Sequence, residues 1–385
     1  MNALEGCILT PAGFVHGTLL HAGGRVVAIQ GEPLSQEQAR ARVADGGTHW
    51  VLPGFIDLHV HGGAGHDTMD GESAVAHIAR AHARHGTTAL LATTMTAPSP
   101  DIEAALHALA PACATRPAQG ARVLGVHLEG PFLSPQRLGA QPDFTCTASL
   151  EQVLAWHAIA PLRLVTIAPE VPGHLELIVA LRAHGFVVQI GHSAGSYEDA
   201  LAALQAGASG FTHLFNAMTG LHQRAPGLVG AALAHAERAE LIADLLHVHP
   251  GAIRAALRAI PGLYCVTDST AAAGMPDGSY RLGRQTVTKC LGGVRLADGT
   301  LAGSTLTMDQ ALRNLVGLGV GLAEASRRTA TIAAEHLGLT DRGRLAPGAW
   351  ADAVVLDEHL VLQGVLAEGE RVSPDGLASG PWRAG

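Results

Sequence analysis

The sequence predicts an α/β protein, a (β/α)8 TIM-type barrel with a small β domain formed from both chain ends. Three observations support this. From Val51 onward, short apolar runs alternate with alanine-rich stretches of helical length, and eight such runs can be counted. Strand-like segments without a long helical period occupy residues 1–50 and return after Gly343. A doubly wound open sheet is the alternative, but its usual Gly-x-Gly-x-x-Gly turn does not follow the first run.

The elements are predicted in chain order. Residues 1–50 are expected to form short strands separated by turns, such as Val26–Ile29 after Gly23-Gly24. The barrel, residues 51–342, has its eight strands at Val51–His61, Thr88–Met95, Val123–Glu129, Leu162–Pro169, Phe186–His192, Gly210–Phe215, Leu241–Val248 and Leu263–Asp268. Helices are predicted at Glu72–His85, Leu150–Ala160, Leu175–His184, Tyr197–Ala206, Ala252–Ala259 and Thr307–Val316. A hairpin insertion is expected at about residues 280–299, and residues 343–385 complete the small domain.

Composition excludes several classes of protein. With 48% apolar and 15% charged residues, the chain cannot be intrinsically disordered. A net charge of −8 without a basic cluster argues against nucleic acid and anionic membranes as partners. No apolar run approaches the ~20 residues of a membrane span, and no secretory signal is visible. Five scattered cysteines without a Cys-x-x-Cys pair suggest neither a disulfide framework nor a zinc ribbon, so a cytoplasmic location is expected.

Side chains able to bind metal follow the ends of several predicted strands. His59 and His61 are two residues apart at the end of the first barrel strand, which places both on one face. Four further strands end in similar side chains, namely Glu129, His192, His213 and Asp268. Strand ends of a barrel converge on one rim, where active sites of this fold are built. Imidazole with carboxylate suits Zn²⁺ or Fe²⁺ better than Mg²⁺ or Ca²⁺, so we predict a divalent metal site.

The order of motifs resembles a known family. The blocks Pro53–His61 and Gly343–Asp357 resemble the amidohydrolase superfamily. Within that superfamily, five further blocks resemble the N-acetylglucosamine-6-phosphate deacetylases: His127–Phe132, Gly191–Ser193, Thr212–Met218, Thr267-Asp268 and Leu301–Met308. The resemblance spans nearly the whole chain. It implies metal-dependent hydrolysis of the acetamide of N-acetyl-D-glucosamine 6-phosphate, in a homodimer.

Roles for the metal-binding residues follow from this resemblance and from the chemistry of an amide. Glu129, His192 and His213 would hold an ion that lowers the pKa of water and polarises the carbonyl. Asp268 would act as general base and then as general acid. His59 and His61 could bind a second ion with Glu129 bridging, so one or two ions per subunit are expected. A bridging carboxylated lysine, common in related enzymes, is disfavoured because the only lysine, Lys289, lies in the predicted hairpin.

The resemblance also implies residues that bind substrate. Asn216 and Ala217 would contact the sugar phosphate, and Arg224 would bind the phosphate, either in its own subunit or from a neighbouring one. His247 and the backbone of Leu301, Ala302 and Gly303 would line the sugar pocket. Ala140 and Gln141 would also contact the substrate. Here the chain departs from the family, which usually has Gly-Ala-His where this chain has Gly139-Ala140-Gln141. Gln141 can replace a neutral N–H donor but cannot carry positive charge.

Alternatives remain open at this stage. The substrate could be the epimer N-acetylgalactosamine 6-phosphate, or another N-acyl or cyclic amide. A non-catalytic barrel that senses sugar phosphates is disfavoured, because Asp268 is retained. Asp57 is expected to orient a ligand histidine. Histidines on predicted helices, including His82, are expected to be solvated.

Overall fold

The computed structural model describes residues 1–71, 73–147 and 149–372, and the backbone of residues 382–383. Glu72, at the start of a predicted helix, and the part of the predicted small domain beyond residue 372 other than that backbone lie outside the described residues. In the described part of the chain, no helix is long and apolar enough to cross a membrane.

The strands are β1 (Asn2–Thr10), β2 (Gly13–Ala22), β3 (Arg25–Leu34), β4 (Trp50–Pro53), β5 (Phe55–Val60), β6 (Gly62–Gly63), β7 (His66–Asp67), β8 (Thr87–Thr94), β9 (Arg122–Glu129), β10 (Leu162–Ile167), β11 (Val187–Ile190), β12 (Gly210–Phe211), β13 (Arg238–Ile242), β14 (Gly262–Val266), β15 (Gly278–Leu282), β16 (Gln285–Cys290), β17 (Gly293–Arg295), β18 (Ala353–Leu356), β19 (Leu362–Ala367), β20 (Glu370–Val372) and β21 (Trp382–Arg383). The helices are α1 (Gln36–Ala44), α2 (Ala74–Arg84), α3 (Ser99–Ala114), α4 (Leu150–Ile159), α5 (His174–Ala183), α6 (Tyr197–Gln205), α7 (Gly227–His235), α8 (Pro250–Ala259), α9 (Met308–Gly317), α10 (Leu322–Ser326) and α11 (Ile332–His336), with a π-helical turn at Arg327–Thr331 between the last two.

The chain ends form one sheet. Its strands lie in the order β20-β19-β18-β4-β1-β2-β3, with β21 beside β1. Strands from residues 2–53 and from residues 353–372 therefore belong to the same sheet. One face of this sheet buries an aliphatic core that includes Leu4, Ile8 and Val355. Arg122 of β9 donates two hydrogen bonds of 2.8 Å to Glu368 between β19 and β20, which ties this sheet to the barrel.

The barrel is a closed ring of eight parallel strands. Six strands pair in the order β12-β11-β10-β9-β8-β5, and β13 pairs with β14. Leu214 N donates to Glu240 O at 3.0 Å, joining the segment after β12 to β13, and Asp268 N donates to His59 O at 2.9 Å, joining the end of β14 to β5. The open-sheet alternative is therefore wrong. Closure brings the carboxyl ends of all eight strands to one rim.

The first predicted barrel strand, Val51–His61, is two strands in the structure. The chain leaves the end sheet after β4 and enters the barrel as β5, with Gly54 between them. A Cβ at Gly54 would lie 2.3 Å from Thr88 Cγ2, so only glycine fits this close crossing. Hydrophobicity alone could not locate the break, because both strands are fully buried.

Most barrel strands end one or two residues before the predicted position, and two of them end four or more residues before it. β12 ends at Phe211 and β13 spans Arg238–Ile242, against predictions of Gly210–Phe215 and Leu241–Val248. The backbone turns left-handed at His213 (φ 30°) and Leu245 (φ 67°), which is incompatible with a continuing strand. Apolar residues after each strand therefore line the rim of the barrel rather than extending its wall.

The predicted hairpin insertion is a small antiparallel sheet of β15, β16 and β17 above the rim. It begins at Gly278 and its strands end at Arg295, close to the predicted range of 280–299. Leu282, Val287 and Val294 pack with Met95 and Ala302 in a separate apolar cluster. Lys289 lies here and donates to Ala272 O and Met275 O, away from the strand-end histidines.

Candidate metal centre and active site

The strand-end side chains that the sequence singled out meet at the rim of the barrel. They project from the ends of β5, β9, β11, β12 and β14, and all six are buried: His59, His61, Glu129, His192, His213 and Asp268. Closure of the ring brings together residues that are more than 200 positions apart in the chain. The convergence predicted from the strand ends is thus present in the geometry.

Glu129 lies at the centre of this cluster. Its Oε1 is 3.2 Å from His192 Nε2 and 3.0 Å from His213 Nε2. Its Oε2 is 3.0 Å from His61 Nε2 and 3.4 Å from His59 Nε2. Each carboxylate oxygen therefore faces a different pair of imidazole rings, so Glu129 can join two ligand sets.

Asp268 completes the second set. Its Oδ1 is 3.3 Å from His61 Nε2 and 3.5 Å from His59 Nε2. Within each set, His59 with His61 and Asp268, and Glu129 with His192 and His213, the ligand atoms all lie within 4.8 Å of one another. Such spacing is suited to metal coordination.

The protonation of His192 supports this interpretation. Its Nδ1 lies 2.9 Å from Arg137 O, a carbonyl that can only accept, so Nδ1 carries the proton. In a neutral ring, the lone pair of Nε2 then points into the site, 3.0 Å from His213 Nε2. Two ring nitrogens and a carboxylate oxygen that converge in this way can hold a cation between them, and this donor set fits Zn²⁺ or Fe²⁺.

Backbone strain aims three of these side chains into the site. His192, His213 and Asp268 have φ angles of 47°, 30° and 50°, in the left-handed region that non-glycine residues seldom adopt. Each such residue costs about 1–3 kcal/mol and persists only where its surroundings hold it in place. Asp268 is held on both sides, because its N donates to His59 O and its O accepts from Ser304 N at 2.7 Å.

The buried charges influence one another strongly. Burial raises the pKa of Asp268, but the neighbouring His59 and His61 lower it more, so the pKa lies below its usual value. Burial likewise raises the pKa of Glu129, and the surrounding histidines bring it well below normal. Both carboxylates are therefore ionised at neutral pH, as cation binding requires.

Glu240 belongs to the site but was not found from the sequence. This fully buried residue of β13 accepts hydrogen bonds at Oε2 from His59 Nδ1 (2.9 Å) and His213 N (3.1 Å). Its Oε1 accepts from the Tyr264 hydroxyl at 3.3 Å. A glutamate within the apolar run of residues 239–242 was the available signal, but the predicted strand began one residue after it.

Asp57 and His82 make buried hydrogen bonds next to the strand ends that carry the site. Asp57 accepts from His59 N at 3.2 Å and from the Thr267 hydroxyl at 2.6 Å, so it holds the backbone of β5 and the end of β14 rather than an imidazole ring. Burial raises the pKa of Asp57 to about 7. His82 is not solvated as expected; it lies 3.0 Å from Gly62 O, and burial lowers its pKa to about 4. The face of α2 that carries it packs on the barrel.

A cavity of about 220 Å³ opens over the cluster. Seven of the predicted substrate-binding residues line it: Ala140, Gln141, Asn216, Ala217, His247, Leu301 and Gly303. The side chain of Ala302 is instead buried in the apolar cluster under the hairpin. Arg224 is exposed on the 220–227 loop and does not line the cavity. No arginine or lysine does so within the described part of the chain.

Polar residues of this cavity have defined partners. Gln141 Nε2 donates to Glu129 Oε2 at 2.7 Å, and Gln141 Oε1 accepts from Thr96 N at 2.8 Å. His247 Nδ1 lies 2.6 Å from Asp244 Oδ2. This contact leaves Nε2 of His247 as the ring nitrogen available to a ligand.

Comparisons with known proteins agree with this geometry. Residues 50–380 match the amidohydrolase family. The chain is 41% identical over 333 residues to N-acetylglucosamine-6-phosphate deacetylase of Lysinibacillus sphaericus, covering 84% of this chain and 86% of that protein. It is 42% identical over 377 residues to N-acetylgalactosamine-6-phosphate deacetylase of Escherichia coli O157:H7, covering 95% and 97%.

Solved structures are similar too. A mutant N-acetyl-D-glucosamine-6-phosphate deacetylase of Mycobacterium smegmatis, in complex with N-acetyl-D-glucosamine-6-phosphate, superposes with a TM-score of 0.87 at 34% identity, covering 96% of this chain and 98% of that one. The corresponding enzyme of Thermotoga maritima gives a TM-score of 0.86 at 30% identity, covering 96% and 99%.

Proposed function

Because the chain belongs to the amidohydrolase family, whose members are metal-dependent hydrolases, we propose that it deacetylates N-acetyl-D-glucosamine 6-phosphate to glucosamine 6-phosphate and acetate. The observation that carries this proposal is the cluster of four histidines around Glu129 and Asp268 beneath a sugar-sized cavity. The N-acetylgalactosamine epimer is the second candidate, because a relative with that activity in its name is 42% identical over 95% of the chain.

The cluster would hold one or two divalent ions, with Zn²⁺ or Fe²⁺ favoured by its nitrogen and oxygen donors. Glu129, His192 and His213 would hold one ion, and His59 and His61, together with Glu129, would hold a second. A bound ion of this kind lowers the pKa of water and polarises an amide carbonyl.

Asp268 would move the proton. Its lowered pKa keeps the carboxylate ionised, so it can accept a proton from the attacking water as the new C–O bond forms. It would then deliver that proton to the amide nitrogen as the C–N bond breaks, releasing acetate and the free amine. Its position within 3.5 Å of both His59 and His61 Nε2 places it beside the ligand atoms.

The cavity would bind the sugar, and a residue of a neighbouring subunit would bind the phosphate. Asn216 and His247 offer polar contacts, while Ala140, Ala217 and Leu301 leave room for the ring and the acetyl methyl group. The guanidinium of Arg224 suits a phosphate dianion, but Arg224 is exposed and does not line the cavity of its own chain. We therefore favour a homodimer in which Arg224 reaches the partner's site. All five cysteines of the chain are free thiols, which fits a location in the reducing cytoplasm.

The test is an acetate-release assay on both epimeric sugar phosphates, with elemental analysis of the purified protein. We expect Asp268→Asn to retain its metal but lose about 10²- to 10⁴-fold in kcat, because general acid–base catalysis contributes that much. Asp277→Asn, at an exposed position, is the matched control. If neither sugar phosphate releases acetate, the proposed substrate is wrong, and another N-acyl or cyclic amide takes its place. Full turnover by Asp268→Asn would refute the proton-transfer role.

A further inference from the structure

The carboxylate of Glu240 has no part in the reaction proposed above, yet it touches both ligand sets. We propose that Glu240 is a positioning residue that builds the ion site of His59 and His61 and couples it to the site of His192 and His213. This inference rests on the two-ion centre of the proposed function, and it concerns which residue makes the second ion site possible.

The first step is the orientation of the His59 ring. His59 Nδ1 donates to Glu240 Oε2 at 2.9 Å, and both side chains are fully buried. With the proton held on Nδ1, the lone pair of Nε2 points at Glu129 and Asp268. Without this acceptor, a neutral ring could carry its proton on Nε2 instead, and that tautomer cannot bind a cation.

The second step is the coupling between the two sites. The same Oε2 also accepts from His213 N at 3.1 Å. His213 follows β12, whereas His59 lies on β5, and Glu240 of β13 reaches both from inside the barrel. Among His192, His213 and Asp268, the backbone of His213 has the smallest positive φ, 30°, and lies furthest from the usual left-handed region. The hydrogen bond from His213 N to Glu240 helps to hold this conformation. One oxygen atom therefore fixes a ring of one ligand set and the backbone of the other.

The third step is the support of Glu240 itself. Its other oxygen, Oε1, accepts from the Tyr264 hydroxyl at 3.3 Å, and that hydroxyl accepts from Gln189 Nε2 at 2.7 Å. The carboxylate thus receives three hydrogen bonds, which compensate for its complete burial. Tyr264 touches only the oxygen that faces away from the histidines, so it provides a matched control.

The experiment measures metal binding without substrate. The wild type, Glu240→Ala, Glu240→Gln and Tyr264→Phe are stripped of metal, titrated with Zn²⁺ against a chelating indicator, and checked for folding by circular dichroism. Replacing an outer partner of a ligand histidine typically weakens metal binding about 10- to 100-fold. We therefore expect Glu240→Ala to bind one of its two ions about 10- to 100-fold more weakly than the wild type does, and to bind the other ion with an affinity closer to that of the wild type.

Glu240→Gln is the conservative variant. A glutamine carbonyl in the place of Oε2 can still accept from both His59 and His213, while its amide can donate to the Tyr264 oxygen. We therefore expect it to recover much of the second site, and Tyr264→Phe to bind both ions like the wild type. In the Co²⁺-loaded proteins, visible absorption should change in Glu240→Ala and not in Tyr264→Phe.

Three results would overturn the proposal: a wild type that binds a single ion, a folded Glu240→Ala that binds two ions with unchanged affinity, or equal weakening of both ions in every variant. If Glu240→Ala does not fold, Glu240→Gln decides: a smaller loss of affinity that is confined to one ion supports the proposal, and unchanged affinity for both ions refutes it. Because no substrate is used, these outcomes are independent of the acetate assay, whose failure alone would refute the proposed function.

Discussion

At the scale of single residues, hydrogen bonds decide which atoms face the proposed ions. Arg137 O holds the proton of His192 on Nδ1, and Glu240 does the same for His59. Gln141 is the third such case, because Thr96 N binds its carbonyl oxygen and so turns its amide nitrogen toward Glu129. The residue that departs from the family pattern therefore contacts the central carboxylate as well as lining the cavity.

Replacing Gln141 by methionine tests this contact. The side chain keeps its length but leaves the buried N–H of Thr96 without an acceptor and removes one donor from Glu129 Oε2. A buried polar group that loses its partner costs about 1–3 kcal/mol, so the free energy of unfolding should fall by that amount. Urea unfolding of the metal-free protein measures it, with the exposed Gln30→Met as control. Equal midpoints for Gln141→Met and the wild type would contradict the role given to the amide.

At the scale of elements, each strand end is held by its neighbours. Asp57 fastens β5 to the end of β14 through the Thr267 hydroxyl, just below His59 and Asp268. Helix α9 lies against the end of α2, because Asp309 in its first turn lies 3.5 Å from His85, the residue that follows α2. Asp309 also accepts from Arg313 of its own helix at 2.9 Å. Buried carboxylates thus tie strand and helix ends to neighbouring elements.

The Asp309 carboxylate makes stability depend on pH. Burial raises the pKa of Asp309, but the nearby polar groups of His85 and Thr307 and the charge of Arg313 bring it down to about 2. Because the pKa is lower in the folded than in the unfolded chain, the stabilisation is complete above about pH 4 and lost as pH falls toward 2. Asp309→Asn should lower the unfolding free energy by about 2 kcal/mol at pH 7.

The measurement is the difference in urea midpoint between Asp309→Asn and the wild type from pH 7 to pH 3. The difference should shrink below pH 4, while the exposed Asp277→Asn should show none at any pH. A difference that stays constant down to pH 3 would mean that Asp309 acts through packing rather than charge.

At the scale of the whole molecule, the described part of a single chain leaves the substrate phosphate without a cationic partner. The cavity has no arginine or lysine among its described lining residues, and Arg224 is exposed on the 220–227 loop. Leu221 on the same loop is 61% exposed, and Leu246, beside His247 on the rim, is 51% exposed. A homodimer that buries these residues could bring Arg224 to the second cavity, in line with the isologous contacts of most homodimers.

Mixing two inactive variants tests this arrangement. Arg224→Ala and Asp268→Asn should each be nearly inactive on the phosphorylated sugar. If Arg224 serves the partner's site, a hybrid dimer contains one intact site, so subunit exchange should restore about a quarter of wild-type activity. Light scattering should report about two chain masses. A monomer, or no recovery after demonstrated exchange, would place the phosphate contact within one chain.

The division of the chain into a small domain of residues 1–50 with 343–385 and a barrel of residues 51–342 stays a prediction, as do the roles of the site residues. The structure adds that β4, at residues 50–53, pairs within the end sheet. The apolar run that contains β4 continues into the barrel as β5. The two strands differ in their pairing partners rather than in hydrophobicity, because β4 pairs with β1 and β18 whereas β5 pairs with β8.

The sequence by itself determined the barrel, the six strand-end side chains and the family, because alternation of strands and helices and the spacing of His59 and His61 are local patterns. Only the tertiary structure decided that Glu240 and Gln141 touch the ligand residues, that Asp57 holds backbone rather than a ring, and that Arg224 does not line the cavity of its own chain. Those relations join positions up to 210 residues apart, and hydrogen bonds between them exist only once the ring has closed.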